Sequence, residues 1–452
     1  MTYRAKVEGL YLLGFSLDLV NMFIGNVAYP ALAADLHASV PQLAWIGNAY
    51  MLGLTLVIPL GGWLAARLGE RVLLCLSLGV FALAAVLAGS APSIEALIGW
   101  RLLQGLGGGV LIPVGQAMAY RHCPPAERGR LTARIMAVAL LVPALSPALG
   151  GWLVGLGSWR WVLWASVPLA ALAFGLAAAW IRPEARQAPP RLDRRGLVLG
   201  SLGLSLLLVA LSLIAEAQQR VPGVAMLAAA AGILIVYART ARRTAQPVLQ
   251  WTLLRHPSLR LAMLIYLLVP GTFIGTQLVA TLLLSRLGYS PASIGGFMLP
   301  WALASACAIA TTRSALPRIG PRVLLSAGMV CQAAGIVLLP GVQPSQPLLA
   351  VLAFALMGLG GSLCSSTAQT LAFQGLAHEE LMPGSALWNL NRQLSFCLAA
   401  ALLACVLGAS TAVLPEHAFF LTLLLASGMT LLPLPLLWRI PAASLSLRAT
   451  PP

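Results

Sequence analysis

A chain of 452 residues that is 59% hydrophobic and only 9% charged is not an ordinary soluble enzyme, because soluble domains carry about a quarter charged residues. Apolar runs of about 18 residues or more recur along it, each long enough to cross a hydrocarbon layer about 30 Å thick as a helix, and the short alternating segments of a membrane β-barrel do not appear. The formal charge of +16 would suit a nucleic-acid partner, but the charges fall between the apolar runs, on alternate connections, which argues against one.

In chain order, helical spans are predicted at about 8–32, 43–66, 72–91, 95–120, 132–156, 160–181, 196–216, 222–240, 261–284, 292–312, 323–341, 347–374, 384–409 and 418–438. Fourteen crossings put both termini on one side. That side carries Arg4, Lys6, Arg67, Arg71, Arg121, Arg128, Arg130, Arg134, the cluster Arg182 to Arg195, the run Arg239 to Arg260, Arg313, Arg318, Arg322, Arg439 and Arg448. The other side carries only Arg160, Arg220 and Arg286. Positive residues are retained on the cytoplasmic face during insertion, so both termini are expected in the cytoplasm, where the basic face also meets anionic lipid headgroups. The opening "MTYRAKVEGLYLLGFSLDLVNMF" reads as a retained first helix, since no small-residue cleavage site follows a short apolar run. Cys123 alone of seven cysteines sits in a loop; neither disulfides nor a metal site is expected from this spacing.

The turn "AARLGERVLL" (Ala65 to Leu74) returns as "LPRIGPRVLL" (Leu316 to Leu325), and "QGLGGGVL" (Gln104 to Leu111) has an echo in "MGLGGSLC" (Met357 to Cys364), at offsets of 251 and 253 residues. Both pairs lie on like-oriented helices, which implies a duplicated six-helix unit. Between the copies lie "RPEARQAPPRLDRRG", two further helices and a second basic linker. The expected organisation is a first half over 1–182, an insert over 183–256 and a second half with a short tail over 257–452. Gly105, Gly107, Gly108 and Gly109 permit close helix contact. A phosphate loop would need a preceding strand, and no GxxxxGK[ST] motif exists.

"GWLAARLGERVLL" (Gly62 to Leu74) is similar to a loop motif written G-x-L-A-D-R-x-G-R-R, through Gly62, Arg67, Gly69 and Arg71. "RLLQGLGGG" (Arg101 to Gly109) is similar to a fourth-helix motif with a buried arginine. "SPALGGWL", with Pro147, Gly150 and Gly151, followed by "SWRWVLWASVPLA", is similar to a fifth-helix antiporter motif and the next helix start. "NVAYPAL", "RLDRRGLVLG" and "LGYSPASIGGFMLP" add further matches in order. Together these resemble the major facilitator superfamily, and within it the 14-helix drug/proton antiporter branch. The resemblance implies an all-α membrane protein of two six-helix halves plus two inserted helices. It implies a non-enzymatic secondary transporter of a bacterial cytoplasmic (inner) membrane, without cofactor or nucleic-acid partner. Such a protein exports small organic molecules in a multidrug efflux manner, by proton antiport with alternating access. A monomer, or an assembly with a periplasmic adaptor and outer-membrane channel, are both open. So are two rivals: a dedicated exporter of an anionic or zwitterionic metabolite such as a siderophore, and an uncoupled facilitator.

The sequence also departs from the pattern. The loop motif's aspartate falls on Ala66, and the antiporter motif's first two glycines fall on Val142 and Ser146. The first-helix aspartate falls on Asn21, with Asp18 one turn earlier. The resemblance implies that the missing loop aspartate latches the outward-facing state; Glu70 is the candidate substitute, with a solvated surface side chain as the alternative.

Burying an ionisable group in a bilayer costs about 3 kcal/mol or more on insertion scales, so such groups are functional candidates. Three are expected deep in spans: Asp18, Arg101 and Arg392. Asp18 is the candidate proton-binding group, against a static ion pair. Arg101 joins it through the resemblance, against an arginine that snorkels to the interface. Asn21, Gln104, Gln277, Trp301 and Arg392 are the candidate cavity residues. Most polar residues in spans merely bond neighbouring helices. Two deep arginines against one aspartate favour an anionic or zwitterionic cargo if both face inward.

Overall fold

A computed structural model describes residues 2–24, 28–38, 40–155, 157–183, 193–215, 219–241, 243–244, 247, 249–289 and 291–439. Among these, the long helices are α1 (Tyr3–Phe23), α2 (Trp45–Leu68), α3 (Glu70–Gly89), α4 (Ile94–Arg121), α5 (Arg128–Gly155), α6 (Arg160–Trp180) and α7 (Arg194–Ala215). The second part continues with α8 (Arg220–Ala241) and α9 (Pro257–Arg286). Next come α10 (298–319) and α11 (321–338), two arms of one element that turns at Gly320. The last three are α12 (Pro347–Gln374), α13 (Leu381–Val413) and α14 (Ala418–Arg439). Eleven stretches among the described residues are long and apolar enough to cross a membrane, one of them the double-length Ser293–Gly341. Large apolar side chains such as Val221, Leu303 and Leu83 face outward. A surface of this kind suits a hydrocarbon solvent, and helices satisfy their own backbone groups there.

Most helix boundaries fall within a few residues of expectation; the tenth span, expected over 292–312, instead runs over 298–319 to the turn at Gly320, and the first needs a correction too. The first span, expected over 8–32, is a helix from Tyr3 to Phe23 followed by a separate short helix, Tyr29–Leu36. The early start comes from Thr2, whose hydroxyl accepts the Ala5 amide at 3.3 Å as an N-cap. The second helix carries a proline in its first turn, the position where a missing N–H costs nothing.

The two halves repeat at the level of backbone contacts. Gly69 and Gly320, the glycines of the repeated basic turn, both adopt the left-handed φ of 81° and 78°, which only glycine enters cheaply. In the first half a Cβ on Gly105 would lie 2.1 Å from the Tyr50 carbonyl, and one on Gly107 2.7 Å from the Phe81 amide. In the second half the same two roles fall to Gly358 against the Trp301 carbonyl (2.3 Å) and Gly360 against the Gln332 amide (2.4 Å). Tyr50 and Trp301 stand 251 positions apart, as do Phe81 and Gln332. The inserted pair α7–α8 packs on itself and against α2 and α13, one helix from each half. Ser201 donates to the Leu56 carbonyl of α2 at 3.3 Å, and the Cys405 thiol of α13 to the Ile214 carbonyl of α7 at 3.7 Å.

Candidate functional site

Asp18 lies on the face of α1 that meets α2, 5% exposed. Its Oδ1 accepts the hydroxyl of Tyr50 at 2.5 Å. The Arg101 guanidinium of α4 sits over the same tyrosine ring, 4.7 Å from its centroid. Arg101 is itself closed in by acceptors: Asn21 Oδ1 at 2.7 Å, Gln104 Oε1 at 2.8 Å and the Ile46 carbonyl at 3.3 Å. It is 3% exposed and does not reach an interface. A buried charge is tolerable only with its hydrogen-bonding capacity met, and these acceptors, with the Asn21 carbonyl at 3.4 Å from Nη2 and the ring, do this. Four of the residues expected from the sequence, Asp18, Asn21, Arg101 and Gln104, thus form one cluster in the first half. Tyr50, which ties the carboxylate to the guanidinium, was not predicted; a lone tyrosine in an apolar span carries no pattern that marks it.

Gln277 and Trp301 lie together in the second half, apart from that cluster. Gln277 Nε2 approaches the Met298 sulfur at 3.4 Å, and Trp301 stacks on Phe273 with centroids 5.2 Å apart. Phe273 and Gln277 share a face of α9 by their spacing of four. Arg392 of α13 reaches across to the first half, its guanidinium 5.2 Å from the Phe15 ring of α1.

The halves close on each other at the arginine-rich end of the bundle. Gln116 Oε1 of α4 accepts Ser385 Oγ at 2.8 Å and Asn389 Nδ2 at 2.7 Å, both from α13. Tyr120 stacks on Phe373 of α12, with centroids 4.3 Å apart and planes 8° from parallel, and its hydroxyl accepts Gln369 Nε2 at 3.3 Å. Arg128 Nη1 donates to the carbonyls of Phe373 and Gln374, where a cation meets the unpaired last turn of α12. Among the described residues the hydrogen bonds between the halves gather at this end. Within the first half, Glu8 is 4% exposed and binds Arg4 at 2.7 Å and Arg134 at 2.6 Å. Arg4 also binds Glu127, whose carboxyl this hydrogen bond holds below the usual carboxylate range.

The motif residues are distributed as follows. A Cβ at Gly62 would lie 3.5 Å from Met382 of the second half. Arg67 is exposed and stacks on Trp63 at 5.1 Å; Arg71 is half-buried at the start of α3. Glu70 is not a solvated surface group: it is 4% exposed and accepts Arg121 of the same half at 2.8 Å. The reason is the left-handed turn at Gly69, which starts α3 with its first side chain under the end of α4. Helix α5 runs through Gly150 and Gly151 without a break; the side chain of Pro147 lies outside the described residues.

The model for the Major Facilitator Superfamily matches residues 10–400. The chain belongs to that superfamily. The "Multidrug resistance protein B homolog" of Mycobacterium tuberculosis is 31% identical over 412 residues, 89% of this chain and 76% of that one. The "Multidrug resistance protein Stp" of the same organism is 27% identical over 412 residues, 90% and 76% of the two chains. Among solved structures, the human organic anion transporter MFSD10 superposes with a TM-score of 0.72 at 19% identity, over 97% of this chain and 100% of that one. The proton:xylose symporter XylE gives 0.68 at 13%, over 97% and 95%. These two likenesses establish the fold. The protein is a multi-pass membrane transporter of the major facilitator superfamily, with bacterial relatives named for multidrug resistance.

Proposed function

We propose that this transporter exports small organic molecules across the bacterial cytoplasmic membrane in exchange for protons, by alternating access between its two halves. The observation that carries the reading is the Asp18–Tyr50–Arg101 group: a buried carboxylate whose hydrogen-bond donor also carries the cation. A carboxylate held between an apolar helix contact and a nearby guanidinium changes its proton affinity when that contact opens, which is what coupling requires. The relatives' names support an outward direction and a broad cargo range.

The same proposal covers the arrangement in the membrane. Counting α1, α5 and both arms of the element that turns at Gly320 gives fourteen crossings. The arginine-rich end is then cytoplasmic, with both termini there. Halves joined at that end by Gln116, Arg128 and the Tyr120–Phe373 stack correspond to an outward-facing state. The boundaries 1–182, 183–256 and 257–452 divide the halves from the insert, and no adaptor is needed for this reading.

The test is proton flux in proteoliposomes. Wild type should move protons inward against export of a lipophilic dye, and Asp18→Asn should abolish the proton movement. Unchanged coupling in that variant would remove Asp18 from the proton path. An uncoupled facilitator is the second reading, favoured by one observation: Arg101 is paired with Asn21, an amide that does not titrate. It predicts dye flux without proton movement in wild type.

A further inference from the structure

The two arginines expected deep in spans are not equivalent: Arg101 is buried and Arg392 half-buried. Arg101 spends its donors on Asn21, Gln104 and the Ile46 carbonyl. Arg392 does not. Among the described residues none accepts a hydrogen bond from its guanidinium, and its Nε is buried without a partner. What surrounds it is aromatic. On α13, Trp388, Arg392 and Phe396 follow at spacings of four and form one stripe. Tyr266 of α9 packs on two of them, at 4.9 Å from Trp388 and 6.3 Å from Phe396. From the first half, Tyr11 and Phe15 of α1 stack on each other at 6.1 Å, and the guanidinium lies over Phe15. Towards the basic end the floor is closed, since Trp388 meets Phe373 at 6.1 Å and Phe373 meets Tyr120 at 4.3 Å.

A guanidinium has five N–H donors in a planar fork that matches a carboxylate, sulfonate or phosphate. One that stands among rings between two moving halves, with its donors unspent, is arranged to receive such a group. Aromatic rings bind planar apolar bodies by stacking; of those around Arg392, Phe396 is half-buried, while Phe15, Tyr266 and Trp388 are buried against their neighbours.

We propose that Arg392, with Phe15, Tyr266, Trp388 and Phe396, is an anion subsite of the transport path, selecting cargo in which an aromatic or flat apolar body carries an acidic group. The inference rests on the reading of this interface as the transport path, and it narrows the cargo class within that reading. It also replaces the expectation that both arginines attract the anion: Arg101 belongs to the internal Asp18–Tyr50 group, and Arg392 alone faces the cargo. The second half carries no copy of the internal group. At the repeat offsets of 251 for α1 and α2 and 253 for α4, Val269, Trp301 and Phe354 stand where Asp18, Tyr50 and Arg101 stand in the first. Proton handling and anion recognition are therefore assigned to different halves.

The experiment is calorimetric titration of the purified full-length protein with three isosteric probes: 2-naphthoate, 2-naphthalenemethanol and 2-naphthylmethylammonium. Wild type should bind the naphthoate at least tenfold more tightly than the ammonium. Arg392→Gln should weaken naphthoate at least tenfold while changing the alcohol less than twofold, and Arg392→Lys, which keeps the charge but not the planar fork, should restore only part of the naphthoate affinity. Equal losses for naphthoate and alcohol would assign Arg392 to packing alone and overturn the subsite. So would an unchanged naphthoate affinity, or a preference for the ammonium. These are equilibrium measurements and need no proton movement. Failed coupling in the Asp18→Asn assay would leave the subsite standing, and a failed titration would leave the antiport reading standing.

Discussion

At the scale of single residues, the first-half cluster is a question of what Tyr50 does. Its hydroxyl binds Asp18 and its ring supports Arg101, so two substitutions separate the roles. Tyr50→Phe keeps the ring and removes one hydrogen bond to an acidic group, an interaction typically worth about 1.5–3 kcal/mol when charged. It should lower thermal stability modestly, by about that amount, and slow proton-coupled transport by about tenfold or more. Tyr50→Leu removes the ring as well and should lower the melting temperature, because Arg101 then loses a face of its enclosure. If Tyr50→Phe transports at the wild-type rate while Tyr50→Leu does not, the hydroxyl has no part in coupling. Asn21 was expected to mark a lost aspartate; its place against Arg101 explains how the cluster stays closed with one carboxylate rather than two.

At the scale of helices, glycine decides how closely α4 can approach its neighbours. Gly105→Ala would set a methyl 2.1 Å from the Tyr50 carbonyl, so α2 and α4 would have to separate. Overpacking of this kind costs typically about 1–3 kcal/mol, and it also moves Tyr50 relative to Asp18. Gly99→Ala on the same helix meets no atom within 4 Å and should gain slightly from helix propensity. Thermal unfolding of the two variants checks the difference. The short helix Tyr29–Leu36 is held differently. The Trp159 indole N–H and then the Arg160 guanidinium bind Asp35 and hold its carboxyl below its ordinary value of 3.8. A carboxyl depressed in the folded state stabilises above the unfolded value and loses that contribution as pH falls through the folded one. A nitroxide at Leu36 should therefore keep constant mobility from pH 8 to about pH 5 and gain mobility only on acidification below about pH 4, and Asp35→Asn should show the higher mobility throughout.

At the scale of the whole molecule, the polar contacts at the basic end are what an inward-opening motion must break. Arg128→Ala leaves the Phe373 and Gln374 carbonyls without their cation and should shift the population toward opening at that end. Ala66→Asp should do the opposite, since α2 ends close to the start of α13, with Gly62 facing Met382, and an added carboxylate there meets a helix N-terminus. Spin-label distances across the mouth report both, and a null result for Ala66→Asp would mean that Gln116 and Arg128 already hold the closure. Cargo charge bears on energetics at this scale too. A negative interior favours departure of an anion by about 2.3 kcal/mol per charge per 100 mV, so an anionic cargo reduces the work that protons must do.

The sequence by itself determined the membrane class, the all-helical fold, the alternation of basic and bare connections, and most helix boundaries. These follow from apolar length, loop charge and glycine position, all of which act locally along the chain. It also picked out Asp18 and Arg101, because an ionisable group in an apolar span stands out whatever surrounds it. Only the tertiary structure decided which polar groups meet. Glu70 turned inward to Arg121, Tyr50 joined Asp18 to Arg101, Gln277 and Trp301 fell in a separate wall, and the two arginines proved different in kind. The reason is that each role depends on a neighbour 21 to 377 positions away, brought in by helix packing that hydropathy and spacing do not encode.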